Sequence, residues 1–131
     1  MAQLGVTDMR LPIQYALTYP KRLSTGLKPL DFARLKQLDF EAPNLRKFPG
    51  LALALEAAKQ AGSAPCALNA ADEEAVDGFL KGNLSFLSIY KVVEKVLARH
   101  KIIKRPSLDD IWATDQWARQ EARTVIEKLK L

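Results

Sequence analysis

The chain has 131 residues, of which 48% are apolar and 27% charged, the balance of one globular domain and too short for two full ones. Its formal charge of +5 is basic but not that of a polycation, and a single cysteine, Cys66, excludes an internal disulfide framework and suits a reducing compartment. No apolar run reaches the roughly 18 residues that cross a membrane, the opening Met1-Ala2-Gln3-Leu4-Gly5 does not read as a secretory signal, and the strands and Gly-rich turn of a self-contained dinucleotide domain are missing.

Thr7 or Asp8 is placed to cap a first helix through Leu11, Ile13, Ala16 and Leu17. Pro12 is tolerated near its start, and Pro20 ends it. From Pro20 to Pro49 turn residues dominate: Ser24-Thr25-Gly26, Pro29, Pro43-Asn44. The alternation Leu38-Asp39-Phe40-Glu41 permits a short edge strand. Leu30, Phe32, Leu35, Leu38 and Phe40 are too apolar for a free linker, so this stretch reads as an arm lying along another surface. After Pro49 helix formers take over. Leu51, Leu55 and Ala58 mark one helix, which stops at Gly62. Ser63-Ala64-Pro65 starts the next, with a stripe of Leu68, Ala71, Ala75 and Phe79, and Gly82 ends it. Ser85 is read as the cap of a third helix carrying Ile89, Val92, Val93, Val96 and Leu97, with Arg99, His100 and Lys101 as cations at its negative end. Ser107 with Asp110 resembles a capping box. It opens a last helix with the stripe Leu108, Ile111, Ala118, Ala122, Val125 and Leu129. The predicted fold is all-α: a small antiparallel four-helix bundle over 48–131, preceded by one helix over 1–19 and an extended arm over 20–47.

Candidate chemistry is sparse. Asp72, Glu73, Glu74 and Asp77 are four carboxylates within six positions, but a carboxylate di-metal bundle needs Glu-x-x-His pairs, and Leu97 precedes the sole histidine, His100, by three. The cluster is read as a solvated acidic face. His100 is the only base a nucleophile could use, and it reads as helix-end charge instead. Cys66 lies near a helix start, which can activate a thiol, and reads as a packed small residue. No phosphate cradle occurs; Gly78 reads as a close-packing residue and Gly82 as a C-cap. Lys21-Arg22, Arg46-Lys47 and Lys104-Arg105 could touch phosphates, yet no helix presents a basic face, so nucleic acid is not expected as a partner. Trp112 and Trp117 do not share one narrow stripe, so one is expected inward and the other near a joint or partner. Neither a catalytic residue nor a metal ligand is assigned. The remaining alternative is a free-standing helical protein-interaction or DNA-binding module.

Ala2-Gln3-Leu4-Gly5, followed by Asp8-Met9-Arg10-Leu11-Pro12-Ile13 and Ala16-Leu17, resembles the end of the central catalytic domain in the 1-deoxy-D-xylulose 5-phosphate reductoisomerase family. Pro29-Leu30-Asp31-Phe32, Leu38-x-Phe40-x-x-Pro43 and Phe48-Pro49 resemble the linker that follows. Ala67-Leu68-Asn69-Ala70-Ala71-Asp72-Glu73 resembles a helix of the carboxy-terminal domain, with Asp72 where the family usually has Asn and Glu74 where an apolar residue is usual. The resemblance implies a parent homodimer that uses NADPH and Mn or Mg to convert 1-deoxy-D-xylulose 5-phosphate to 2-C-methyl-D-erythritol 4-phosphate, in the non-mevalonate isoprenoid pathway. It implies that this chain is a carboxy-terminal fragment whose partners are the amino-terminal and catalytic domains. The family's metal, phosphate and Gly-rich cofactor motifs map upstream of Met1, so neither cofactor is expected to bind this chain alone. Only Asp8-Met9-Arg10 maps near the family's active-site pocket, with Met9 the one residue expected to pack close to the cofactor. Bacterial cytoplasm, or plastid in a eukaryote, is the implied location. Residues 1–62 carry 9 basic and 5 acidic groups, net +4, and residues 63–131 carry 11 and 10, net +1. The basic excess therefore sits on the part implied to face the other domains.

Overall fold

A computed structural model describes residues 4–129. Ala2 and Gln3 of the opening motif lie outside the described residues. Six α-helices follow in order: α1 Arg10–Thr18, α2 Phe32–Leu35, α3 Pro49–Gln60, α4 Ala64–Leu80, α5 Ile89–Arg99 and α6 Leu108–Leu129, with a 3-10 turn over Phe86–Ser88 before α5. The chain divides into two compact units, Met1–Ala42 and Pro43–Leu131. The all-α expectation holds. Among the described residues there is no strand, and the stretch Leu38–Glu41 has no regular structure. Alternation alone does not make a strand: the ladder needs a second edge, and nothing in the unit supplies one.

In the first unit α1 begins at Arg10, one residue later than a cap at Asp8 implies. Asp8 still takes a first-turn amide, since its Oδ1 accepts the Arg10 N–H at 2.9 Å. Thr7 makes no such bond. The helix stops before Pro20, with Tyr19 in extended geometry at ψ 135°. The arm then folds back on α1. Gln14 Nε2 donates to the Ser24 carbonyl at 3.1 Å, Thr18 Oγ1 donates to the Lys21 carbonyl at 2.9 Å, and the Arg22 guanidinium lies 4.6 Å over the Tyr15 ring. The single-turn α2 was not anticipated. It forms because Asp31 Oδ1 accepts the N–H groups of Ala33 and Arg34.

In the second unit α4 is the hub, packed against α3, α5 and α6. Its buried residues are Ala64, Ala67, Ala70, Ala71, Ala75 and Gly78. This corrects the expected stripe. Leu68 is only partly buried, Phe79 is 36% exposed and Leu80 75%. A helix surrounded by three others must let their axes approach closely, and alanine does so where leucine and phenylalanine cannot. The core is completed by Leu84, Val92, Val93, Val96, Ala118, Ala122, Val125 and Ile126. The valine face of α5 is as expected. On α3 the inward residues are Leu53 and Ala57, whereas Leu51, Leu55 and Ala58 are exposed. On α6 Thr114 and Ile126 are buried and Leu108 is exposed. A Cβ at Gly78 would stand 3.5 Å from Ile126, ordinary contact, so the α4–α6 approach does not demand glycine there.

Candidate functional site

Three local arrangements carry polar chemistry. The first is at the start of α1. Arg10 grips Asp8 with both ends of its fork, Nε on Oδ1 at 2.9 Å and Nη2 on Oδ2 at 2.6 Å. Those guanidinium bonds, with the Arg10 N–H bond beside them, hold the Asp8 carboxyl down at about 2. The clasp closes around Met9, whose side chain is 73% exposed. The clasp sets the backbone on either side of a flexible, polarizable thioether that points into solvent.

The second is a ladder of ion pairs between α4 and α6, and it corrects the reading of a merely solvated acidic face. Arg119 reaches Glu73 at 2.7 Å, Asp115 at 2.9 Å and Glu74 at 3.5 Å, and Arg123 grips Glu74 with two bonds of 2.8 Å. The bonds to Arg119 pull Glu73 below its ordinary value, and those to Arg123 do the same for Glu74. Asp77 turns to Lys81 in its own helix. Asp72 has no such partner among these bonds, and desolvation together with the Glu73 charge pushes its carboxyl up. Among the described residues no group of His, Cys, Asp and Glu could hold a metal ion.

The third is a polar joint where three helices meet. Ser63, wholly buried, lies with Oγ 2.8 Å from His100 Nε2 and accepts the Ile103 N–H at 2.9 Å. The His100 ring faces Trp117 at 5.3 Å. Ser63-Ala64-Pro65 starts α4 as expected, although the Ser63 hydroxyl makes no capping bond; one expectation changes here. His100 is not a helix-end cation: it is the extended residue after α5, and burial lowers its pKa. Only Arg99 stays in the last turn, paired with Glu121. This joint was missed because its partners stand 37 positions apart; the one available signal was a serine bracketed by Gly62 and alanine, in a stretch otherwise destined for the core.

Other sequence-predicted positions fall as follows. The Cys66 thiol donates to the Ile111 carbonyl at 3.5 Å, and burial pushes its pKa up, so the helix start does not activate it. Ser85 does not cap α5; its hydroxyl pairs with Ser88, and the 3-10 turn intervenes. Ser107 and Asp110 do form a reciprocal capping box, with the Ser107 N–H on Asp110 at 2.9 Å and the Asp110 N–H on Ser107 at 3.2 Å. Trp117 packs at the joint and Trp112 is 61% exposed.

The fold and these sites define a helical domain in which charged side chains bind helices together rather than converge on a reacting atom. The chain belongs to the DXP reductoisomerase C-terminal domain family, whose model matches residues 4–121. It is 50% identical over 129 residues to the 1-deoxy-D-xylulose 5-phosphate reductoisomerase of Pelotomaculum thermopropionicum, covering 98% of this chain and 33% of that protein. To the enzyme of Gloeobacter violaceus it is 45% identical over 128 residues, again covering 98% and 33%. The chain thus spans about a third of the length of the curated relatives it matches. Among solved structures, the Zymomonas mobilis reductoisomerase in complex with NADPH matches with a TM-score of 0.85 and 45% identity, over 97% of this chain and 34% of that one. A DOX-P reductoisomerase in complex with NADPH, fosmidomycin and magnesium matches with a TM-score of 0.85 and 37% identity, over 96% and 33%.

Proposed function

We propose that this chain serves as the carboxy-terminal third of a homodimeric reductoisomerase that converts 1-deoxy-D-xylulose 5-phosphate to 2-C-methyl-D-erythritol 4-phosphate, with NADPH and a divalent metal. Residues 1–19 close the central catalytic domain, residues 20–47 are the linker arm, and residues 48–131 are the helical bundle that buttresses the rest. The observation that carries the reading is the family match over residues 4–121, which runs across both compact units. NADPH supplies the hydride in the complete enzyme, and the metal is held by residues outside this chain. The chain's own contribution is positional: the Asp8–Arg10 clasp sets Met9 at the cofactor, and the ion-paired bundle gives the catalytic domain a rigid wall. The exposed apolar side chains of the first unit, Met9, Leu11, Ile13, Leu17, Tyr19 and Phe40, are the surface the other domains would cover. The enzyme is expected in the bacterial cytoplasm; no helix among the described residues is long and apolar enough to cross a membrane.

The test is a chimera in which this chain replaces the matching third of the Zymomonas mobilis enzyme. NADPH oxidation with the sugar phosphate and Mn should return in the chimera and be absent from the chain alone. Oxidation by the chain alone, or none by a folded chimera, would overturn the reading. In the chimera, Met9→Ala should raise KM for NADPH about tenfold, equivalent to ~1.4 kcal/mol of lost contact, and change kcat less. The DNA-binding alternative is not favoured, since the family match runs over residues 4–121 and leaves no separate module to bind DNA. Titration of labelled duplex DNA is expected to show no salt-dependent submicromolar binding.

A further inference from the structure

We infer that Ser63 and His100 form a protonation-sensitive latch that holds the α5–α6 loop on the start of α4. The loop is fastened there by two bonds to one residue. The Ser63 N–H donates to the Ile103 carbonyl at 3.0 Å, and the Ile103 N–H donates back to Ser63 Oγ at 2.9 Å. The approach is close: a Cβ at the neighbouring Gly62 would stand 2.3 Å from the Ile103 carbonyl oxygen.

The hydroxyl at the centre of this latch fixes the state of the imidazole. An amide N–H can only donate, so Ile103 occupies one lone pair of Ser63 Oγ. The hydroxyl proton then needs an acceptor, and the one beside it is His100 Nε2 at 2.8 Å. The network therefore assigns a neutral ring, bare at Nε2 and protonated at Nδ1. Adding a proton to Nε2 turns the acceptor into a donor. Two donors then face Ser63 Oγ, and its own proton is left unpaired inside a wholly buried site, a costly arrangement.

The groups around the ring do not reverse this. Arg99 and Lys101 flank His100 along the chain, and both are cations that disfavour a third. Arg99 is already paired with Glu121 of α6. From α6, Trp117, Thr114 and Asp110 line the same groove, and the Asp110 carboxylate is held by the Ser107 N–H and hydroxyl. From α4 the facing group is the uncharged Ser63, and Gly62 at the α3–α4 joint has no side chain. Burial of the ring adds in the same direction, favouring the neutral form. Acidification should therefore release the loop of residues 100–107 while the valine and alanine core stays closed.

The test uses the full chain and nuclear magnetic resonance. Ring nitrogen shifts read the tautomer, and exchange of the Ile103 amide, corrected for its intrinsic rate, reads the latch. At about pH 7.5 Nε2 should be bare; as pH falls below the free imidazole's value of about 6.5, Ile103 protection should fall by up to roughly tenfold per pH unit, levelling off below the lowered pKa of the latched ring. Val92 and Val96, in the core, should keep their protection over that range. His100→Gln retains a neutral acceptor and should make Ile103 protection independent of pH. A proton on Nε2 at neutral pH, an Ile103 amide indifferent to pH, or equal loss at Ile103, Val92 and Val96 would each overturn the latch. The wild-type readings decide the matter even where His100→Gln does not fold.

Discussion

At position 62 the backbone is at φ +59°, and an added Cβ would meet the Ile103 carbonyl oxygen at 2.3 Å. Gly82 shares the positive φ, +76°, but has nothing within 4 Å. The pair separates two costs that usually travel together. Gly82→Ala should cost about 1 kcal/mol for left-handed backbone alone. Gly62→Ala should cost more, by roughly another 1–3 kcal/mol, because a backbone carbonyl cannot swing away as a side chain can. Urea unfolding of both variants gives the comparison; equal losses would mean that the loop yields freely. Cys66 makes a second residue-scale claim. Its thiol is half-buried, bonded to the Ile111 carbonyl and raised in pKa by burial and by Asp115. A disulfide reagent near pH 8 should therefore label it slowly in the folded chain and quickly in urea. Fast labelling without denaturant would contradict the packing of α4 on α6 at that point.

Between helices, the ladder of Glu73, Glu74, Asp115, Arg119 and Arg123 links the hub α4 to the longest helix, α6, whose 22 residues make a rod of about 33 Å. Both glutamates have pKa values lowered in the fold from 4.5. A lowered carboxyl adds stability that is fully present above its unfolded value and is lost as pH falls through the folded one. Thermal stability should therefore decline once pH drops below about 4.5, and less so in Glu74→Gln. Arg119→Met should lower the melting temperature more than Arg123→Met, since Arg119 meets three carboxylates and Arg123 grips one; added salt should narrow the gap. All the helices but the single-turn α2 were legible in the sequence, because prolines, glycines and the Ser107–Asp110 box punctuate the chain at the joints. What periodicity could not decide was the buried side of each helix. On α4 the large residues Leu68 and Phe79 drew the stripe toward themselves, yet a helix with three neighbours buries its alanines. The ladder and the joint were illegible for a different reason: Glu74 and Arg123, or Ser63 and His100, become neighbours only when α4, α5 and α6 have packed. A run of acidic residues read alone has no visible counter-ions.

On the scale of the whole chain, the two compact units differ in kind. The unit Pro43–Leu131 has a core of alanine, valine, leucine and isoleucine side chains drawn from α4, α5, α6 and the Leu84 turn. In the unit Met1–Ala42 no described residue is buried. Its order comes from helix-end bonds, the Asp8–Arg10 clasp and the few contacts between α1 and the arm. Burial of apolar surface is what offsets chain entropy, and an isolated helix of fewer than ~12–15 residues is marginal in water. The 9 residues of α1 fall short of that length. A chain of residues 43–131 should accordingly unfold cooperatively and keep its helical circular dichroism, and a peptide of residues 1–42 should show little helix by itself. In the chimera with the Zymomonas mobilis enzyme, amides of α1 should gain exchange protection that the peptide lacks, because the other domains would then cover Leu11, Ile13 and Leu17. A stably helical 1–42 peptide, or α1 amides equally unprotected in the chimera, would mean that this unit draws no stability from the rest of an enzyme.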